Sequence, residues 1–272
     1  MSRSASVIIP AHDEAAYIGA CLEALFASAL EGATMQVIVV ANGCKDATAQ
    51  IAQDYAQQGR NLEVIDTPQG GKLHALDLGD AAAGHGTRIY LDADVIVSPG
   101  LIAGLIEALD APAPRYASGM PVVASARSAV TRAYARFWQT LPFVASGVPG
   151  FGVYAVNAAG RARWEGWPQI ISDDTFVRLQ FIPAERVSVP ALYSWPMVEG
   201  WRNLVRVRRR QDRGVAEIAA RYPQILRNEG KAPLGLRGIL TRALRDPVGF
   251  GVYAAVSLAV RLPGADGWVR GR

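Results

Sequence analysis

Three observations predict an α/β fold: a mostly parallel sheet flanked by helices, with a helical C-terminal appendage. Short apolar runs alternate with segments of helical periodicity through residue 109. Glycine, asparagine and proline punctuate them as turn signals. The last stretch, residues 234–262, changes to leucine, alanine and arginine. Strand–helix alternation is the pattern of βαβ units, whose strands lie parallel.

The elements follow in order. Residues 6–10, Ser-Val-Ile-Ile-Pro, form a compact apolar run closed by proline and read as a buried strand. Helical spacing of Ile18, Cys21, Leu22, Leu25 and Phe26 predicts a helix over 15–29. Residues 37–40 are a second strand, ended by the Asn42-Gly43 turn. Asp46 then stands at the N-terminus of a helix over 47–57. Residues 62–65 are a third strand. Gly70-Gly71-Lys72 opens a helix over 73–83, residues 89–91 are a fourth strand, and Pro99 precedes a helix over 101–109. The second half is less regular. It predicts a strand over 116–123, a helix over 126–141 and a strand over 150–156. Ser172 reads as an N-cap with Asp173 and Asp174 in the first helical turn. The hexapeptide Gly-Phe-Gly-Val-Tyr-Ala occurs at 150–155 and again at 249–254, with no period that would make it a structural repeat.

Composition sets bounds. The 272 residues are 50% hydrophobic and 19% charged, which suits one large domain with an appendage. The net charge of +4 is too modest, and recognised modules too absent, for a nucleic-acid-binding protein. Two cysteines, Cys21 and Cys44, give no disulfide framework, so a reducing cytoplasm is expected. No run reaches the ~20 apolar residues of a membrane-spanning helix. Residues 234–245 and 248–262 allow two readings: helices packed back on the domain or in a dimer contact, or peripheral attachment to the anionic inner face of the cytoplasmic membrane.

In parallel sheets of this type, ligands bind outside the carboxyl ends of the strands. That rule gathers His12, Glu14, Asn42, Asp92 and Asp94 onto one rim, with Gly71 and Lys72 at a helix start beside them. Carboxylates at a strand end suit a hard divalent cation. A glycine-flanked helix start bearing a lysine suits an anion. Asp173 and Asp174 also serve as helix-dipole partners, or as a base near an acceptor hydroxyl. The run Arg202, Arg206, Arg208, Arg209, Arg210 and Arg213 predicts a basic helix, most of it on one face.

These residues fall in six ordered motifs: Val-Ile-Ile-Pro-Ala-His-Asp-Glu, Val-Val-Ala-Asn-Gly-Cys-Lys-Asp, Gly-Gly-Lys, Leu-Asp-Ala-Asp, Gly-Trp followed by Ser-Asp-Asp, and the arginine run. In their order and spacing the chain resembles the family 2 glycosyltransferases of the GT-A (Rossmann-like) fold. The resemblance implies a domain over 1–222, with a nucleotide-binding half to about residue 112 and an acceptor half over 113–222, then a helical extension over 223–272. It implies an inverting, Mn²⁺- or Mg²⁺-dependent transfer of one sugar from a nucleotide-diphospho-sugar, a UDP-sugar by preference. The acceptor is a saccharide or lipid-linked hydroxyl, as in cell-surface polysaccharide or glycolipid synthesis. Pro10, His12, Glu14, Asn42, Gly71, Lys72, Asp92, Ala93, Asp94, Arg209 and Arg210 would bind the donor, with Asn42 on the base and the arginines facing the diphosphate. Asp94 would hold the metal. Asp174 would be the base with Asp173 beside it, and Trp164, Gly166 and Trp167 would meet the acceptor. The run Val207-Arg208-Arg209-Arg210-Gln211 departs from the Gln-x-x-Arg-Trp of processive synthases, which implies one sugar per encounter. A nucleotidyltransferase would want a glycine-rich, arginine-containing loop after the first strand, and Ala11-His12-Asp13-Glu14 is not one. A silent nucleotide-sugar-binding scaffold would not need both Asp94 and Asp174.

Overall fold

The structure, a computed structural model, describes residues 3–145, 147–230 and 234–262. The parts of the C-terminal extension at 231–233 and 263–272 lie outside the described residues. In chain order the elements are β1 (Ser4–Ala11), α1 (Ile18–Phe26), β2 (Thr34–Asn42), α2 (Thr48–Ala56), β3 (Leu62–Thr67), α3 (Lys72–Ala82), β4 (Thr87–Leu91), β5 (Ile96–Val97) and α4 (Leu101–Ala108). Then come β6 (Tyr116–Val123), α5 (Ala129–Gln139), α6 (Pro142–Ala145), β7 (Val153–Val156), α7 (Ala158–Arg161), α8 (Asp173–Leu179), β8 (Arg186–Trp195), α9 (Trp201–Arg221), α10 (Leu236–Arg245) and α11 (Pro247–Arg261).

The strands form one sheet in the order β3-β2-β1-β4-β7-β6-β8-β5. The first four run parallel, as their alternation with helices requires. Beyond β4 the sheet becomes mixed: β7 is antiparallel to both β4 and β6, β8 is parallel to β6, and β5 is antiparallel to β8. Pro10 is tolerated in central β1 because it falls past Ile8, the last residue paired with β4.

Both faces of the sheet are covered. On one face Val7, Ile9, Val37, Val39, Ile89 and Leu91 pack with α1 and α4. On the other, Ile8, Ile38, Val40 and Tyr90 pack with α3 and α8. The alternation within β1 is the period of two that sends successive side chains to opposite faces. A third cluster joins α5, α9 and α11 through Tyr134, Leu204, Val205 and Val256.

Strand β8 was not legible in the sequence, because Pro190 interrupts it. The β6–β8 register shifts between Ser118 and Met120, and Pro190 sits opposite that shift, where a ladder hydrogen bond is already missing. Ser172 does precede α8, but its side chain makes no capping hydrogen bond there. Asp46 lies one residue before the N-cap of α2, Ala47, and its Oδ1 accepts from the Thr48 backbone N–H at 3.0 Å.

Asp80 of α3 holds the two halves of the sheet together. Its carboxylate pairs with Arg161 at 2.9 Å and Arg88 at 3.4 Å, and accepts from Tyr90 Oη at 2.9 Å and Trp167 Nε1 at 2.8 Å. Removing one partner from such a buried pair leaves the other charges uncompensated. Asp80→Ala is therefore expected to lower unfolding free energy by about 3 kcal/mol. Urea denaturation followed by tryptophan fluorescence checks this; a loss below ~1 kcal/mol would show that solvent already screens the cluster.

Candidate active site

The carboxyl ends of β1, β2 and β4 and the start of α3 open onto a cavity of about 770 Å³. Pro10, His12, Glu14, Asn42, Gly71, Lys72, Asp92, Ala93, Asp94 and Arg210 all line it. Its opposite wall comes from the second half of the chain: Tyr134 and Trp138 of α5, Trp195 at the end of β8, Pro196 to Val198, and Leu204, Val207, Arg208 and Gln211 of α9.

Two glycines make the rim. Gly152 has φ +81°, and a Cβ there would meet Trp195 and Val95 within 2.8 Å. Its carbonyl accepts from the Asp92 N–H at 2.8 Å, which fixes the backbone where β4 ends. Gly43, with φ +59°, lets the loop after β2 touch the backbone of Gly70.

The charge arrangement centres on Lys72. Its ammonium bridges Asp92 Oδ1 at 2.9 Å and Asp173 Oδ1 at 3.2 Å. Asp173 is 6% exposed and also accepts from Tyr154 Oη at 3.0 Å. Partial desolvation opposes the charge on the half-exposed Lys72, but the carboxylates of Asp173 and Asp92 outweigh it and raise its pKa, so it stays protonated. Asp174 accepts from the Thr175 N–H at 2.6 Å. Desolvation, then the neighbouring charge of Asp173, pushes Asp174 up to about 6. Neither Asp173 nor Asp174 lines the cavity wall: they stand behind Lys72, joined to the rim through it.

Four sequence expectations are changed by the structure. Asn42 is 2% exposed, and both of its amide N–H groups are engaged. Nδ2 donates to the Ala11 carbonyl at 2.8 Å and the Val40 carbonyl at 3.3 Å, while Oδ1 accepts from Gly71 N–H at 2.9 Å. Two carbonyls on one side and an N–H on the other fix its orientation, so it ties the rim loops together and keeps only the second lone pair of Oδ1 for a ligand. Arg209 does not line the cavity; it donates to the carbonyls of Ala259, Val260 and Leu262, capping α11. Trp164 and Trp167 are 7% and 4% exposed and belong to the core under α3; Trp167 is held edge-on to Tyr90 and bonded to Asp77 and Asp80. With Gly166 they lie outside the cavity. Finally, the arginine run does not present one basic face. Arg208 and Arg210 line the cavity, Arg209 binds α11, and Arg202 and Arg213 are exposed.

Sequence reasoning missed Arg208, Tyr134 and Trp138. Trp138, Phe151 and Trp195 form an aromatic group with centroids 5.1–5.7 Å apart. Their spacing along the chain carries no periodic signal; the fold brings them together from α5, the segment before β7 and the end of β8.

For a metal, Asp94 and Asp92 offer hard oxygen donors on the wall, which fits Mg²⁺ or Mn²⁺. Asp92 is already paired with Lys72, which makes Asp94 the better ligand. His12, Asp13 and Cys44 also bring ligand atoms within 4.8 Å of one another. However, His12 Nδ1 is bonded to the Asn42 carbonyl, Asp13 Oδ1 accepts from the Lys45 N–H, and burial raises the Cys44 thiol pKa. A protonated thiol is a poor ligand for a hard cation.

Residues 6–164 match the family described as glycosyl transferase family 2. The chain belongs to this family. Among its relatives is an uncharacterized glycosyltransferase, EpsJ, of Bacillus subtilis strain 168, 32% identical over 103 residues. That match covers 38% of this chain and 29% of the relative's length. A mannosyltransferase from Pyrobaculum calidifontis, solved with GDP-Man and Mn²⁺, superposes with TM-score 0.57 at 18% identity, over 96% of this chain and 76% of that one. Glucosyl-3-phosphoglycerate synthase of Mycobacterium tuberculosis, solved with Mn²⁺ and UDP-glucose, gives 0.57 at 20% identity, over 80% and 79%. This family member therefore has the GT-A fold.

Lys72→Gln is expected to lower stability by about 1–2 kcal/mol, the half-exposed lysine discounting a buried-pair loss. Thermal melts at low and high salt check this; a loss unchanged by salt would mean the ammonium acts through packing alone.

Proposed function

We propose that the chain is an inverting, metal-dependent glycosyltransferase that moves one sugar from a nucleoside-diphospho-sugar to an acceptor hydroxyl. The observation that carries this reading is Lys72, which links the strand-end carboxylate Asp92 to the helix-start pair Asp173 and Asp174. The donor occupies the cavity, with its nucleoside against Pro10, His12 and Glu14. UDP-sugars are the first donors to test and GDP-sugars the second, since structural neighbours were solved with each.

Asp94 would hold Mn²⁺ or Mg²⁺ against the donor diphosphate. Bound there, the ion neutralises charge on the leaving group. Arg210, which lines the cavity and has a buried Nε lacking a hydrogen-bond partner among the described residues, meets the same anion, as does Arg208. Asp174 takes the proton from the acceptor hydroxyl. That oxygen forms a bond to the anomeric carbon as the carbon–oxygen bond to the diphosphate breaks, and the diphosphate leaves with the electron pair. One in-line displacement inverts the configuration. Lys72 and Tyr154 hold Asp173, whose charge helps keep Asp174 basic. Trp195 and Trp138, rather than Trp164 and Trp167, supply the aromatic surface for a sugar ring.

Asp174 protonates near pH 6, and a base must be ionised, so transfer should rise with pH through about 6 and level off above it. Asp174→Asn should cut transfer by about 10²–10⁴-fold while donor binding persists. The raised pKa means that Asp174 favours the fold when protonated, a contribution lost as pH rises through about 6. Asp174→Asn at pH 8 should thus melt at or above the wild-type temperature. Full transfer by this variant would remove Asp174 from the role of base.

Thermal melts with a panel of nucleotide-sugars, with and without Mn²⁺, should show stabilisation that needs both partners. Asp94→Ala should abolish the metal-dependent part. Equal stabilisation of that variant by donor and Mn²⁺ would move the metal elsewhere.

A further inference from the structure

Helices α10 and α11 carry an apolar surface that no part of the described chain covers. Leu236, Leu240 and Leu244 are 80%, 61% and 83% exposed and stand one turn apart on a single ridge of α10. Across the elbow at Asp246–Pro247, Val248, Leu258 and Leu262 of α11 and its end are 63–64% exposed on one outer stripe. Soluble surfaces rarely gather so many bare leucines. The other faces of the two helices are engaged. Tyr253 and Phe250 pack on Phe137 of α5, Arg209 caps α11, and Arg242 donates to the Thr140 carbonyl.

Charge names the occupant. Arg237 and Arg245 form an exposed second row beside the leucine ridge, and α10 has no acidic residue. Asp246, the acid at the elbow, is neutralised by Arg136 of α5 at 3.1 Å and caps α11 through Gly249 N–H at 2.9 Å. A leucine ridge flanked by arginines matches an interface of acyl chains and anionic headgroups. A two-fold pairing of two copies through this ridge would instead bring arginine rows together, which is unfavourable.

We propose that α10 and the outer stripe of α11 dock this protein on an anionic phospholipid surface, with the leucines in the acyl boundary and Arg237 and Arg245 at the headgroup phosphates. Two contacts link the dock to the cavity: Arg136–Asp246 ties the elbow to α5, and Tyr253 of α11 contacts Arg208 on the cavity wall. On the proposed transfer reaction, the dock would bring the cavity to an acceptor carried in the membrane.

The test is flotation of the full chain with vesicles of phosphatidylcholine alone or mixed with phosphatidylglycerol, and needs neither donor nor transfer. Binding to the mixed vesicles, weakened by salt, is expected. Leu236→Gln/Leu240→Gln/Leu244→Gln should weaken it at least about tenfold. Arg237→Gln and Arg245→Gln should each cost about fivefold on anionic vesicles and little on neutral ones. These side chains are exposed, so melting temperatures should not change. No flotation with anionic vesicles, or a triple variant that floats like wild type, would overturn the proposal. So would a dimer in sedimentation velocity that the triple variant disperses while vesicles recruit neither form.

Discussion

One ammonium group joins what would otherwise be two separate carboxylate pairs. Asp92 ends a central strand, and Asp173 begins a helix in the less regular half of the chain. Lys72 stands between them at 2.9 and 3.2 Å. Without it, Asp92, Asp173 and Asp174 would be neighbouring like charges with no cation between them. The lysine is held there by the start of α3, and the start of α3 by Asn42, which accepts from Gly71. Asn42 in turn bonds the backbone of β1 and its own strand. The rim therefore works as a chain of dependencies, in which a neutral amide fixes backbone so that a cation can fix carboxylates.

The far wall of the cavity depends on the C-terminal helices. Arg209 caps α11, and α11 presses Tyr253 and Phe250 against α5. Helix α5 carries Tyr134 and Trp138 into the cavity. Three consecutive arginines of α9 thus divide their work by direction: Arg208 and Arg210 face the cavity, and Arg209 faces the helix that supports it. A helix turns about 100° per residue, so a run of like residues must point to several faces.

Much of the first half was legible because its signals are local. Apolar runs and helical periodicity placed β1 to β4 and the helices between them, and the strand-end rule gathered the rim residues that line the cavity. The second half resisted for physical reasons. Strand β8 contains a proline that only a bulge accommodates. From the sequence, Trp164, Trp167 and Trp195 alike suggest a surface for sugar rings, yet burial makes the first two core, with Trp167 against Tyr90 and Asp80, and leaves Trp195 on the cavity. Trp195 and Trp138 are aromatic residues like them, and only their position after folding leaves them on the cavity.

The hexapeptide Gly-Phe-Gly-Val-Tyr-Ala marks the boundary between the two kinds of information. At 150–155 its glycines take φ of +76° and +81° and its Val-Tyr-Ala enters β7 between β4 and β6. At 249–254 the same six residues are helical in α11, nucleated by the Asp246 cap. Sequence alone determined the family's motifs, the parallel half of the sheet and the rim residues that line the cavity, because these rest on short-range patterns. Tertiary structure decided the rest: which copy of the hexapeptide is strand or helix, which arginine meets the cavity, and how Asp173 reaches Lys72. Those outcomes depend on partners distant in sequence, whose packing outweighs local preference.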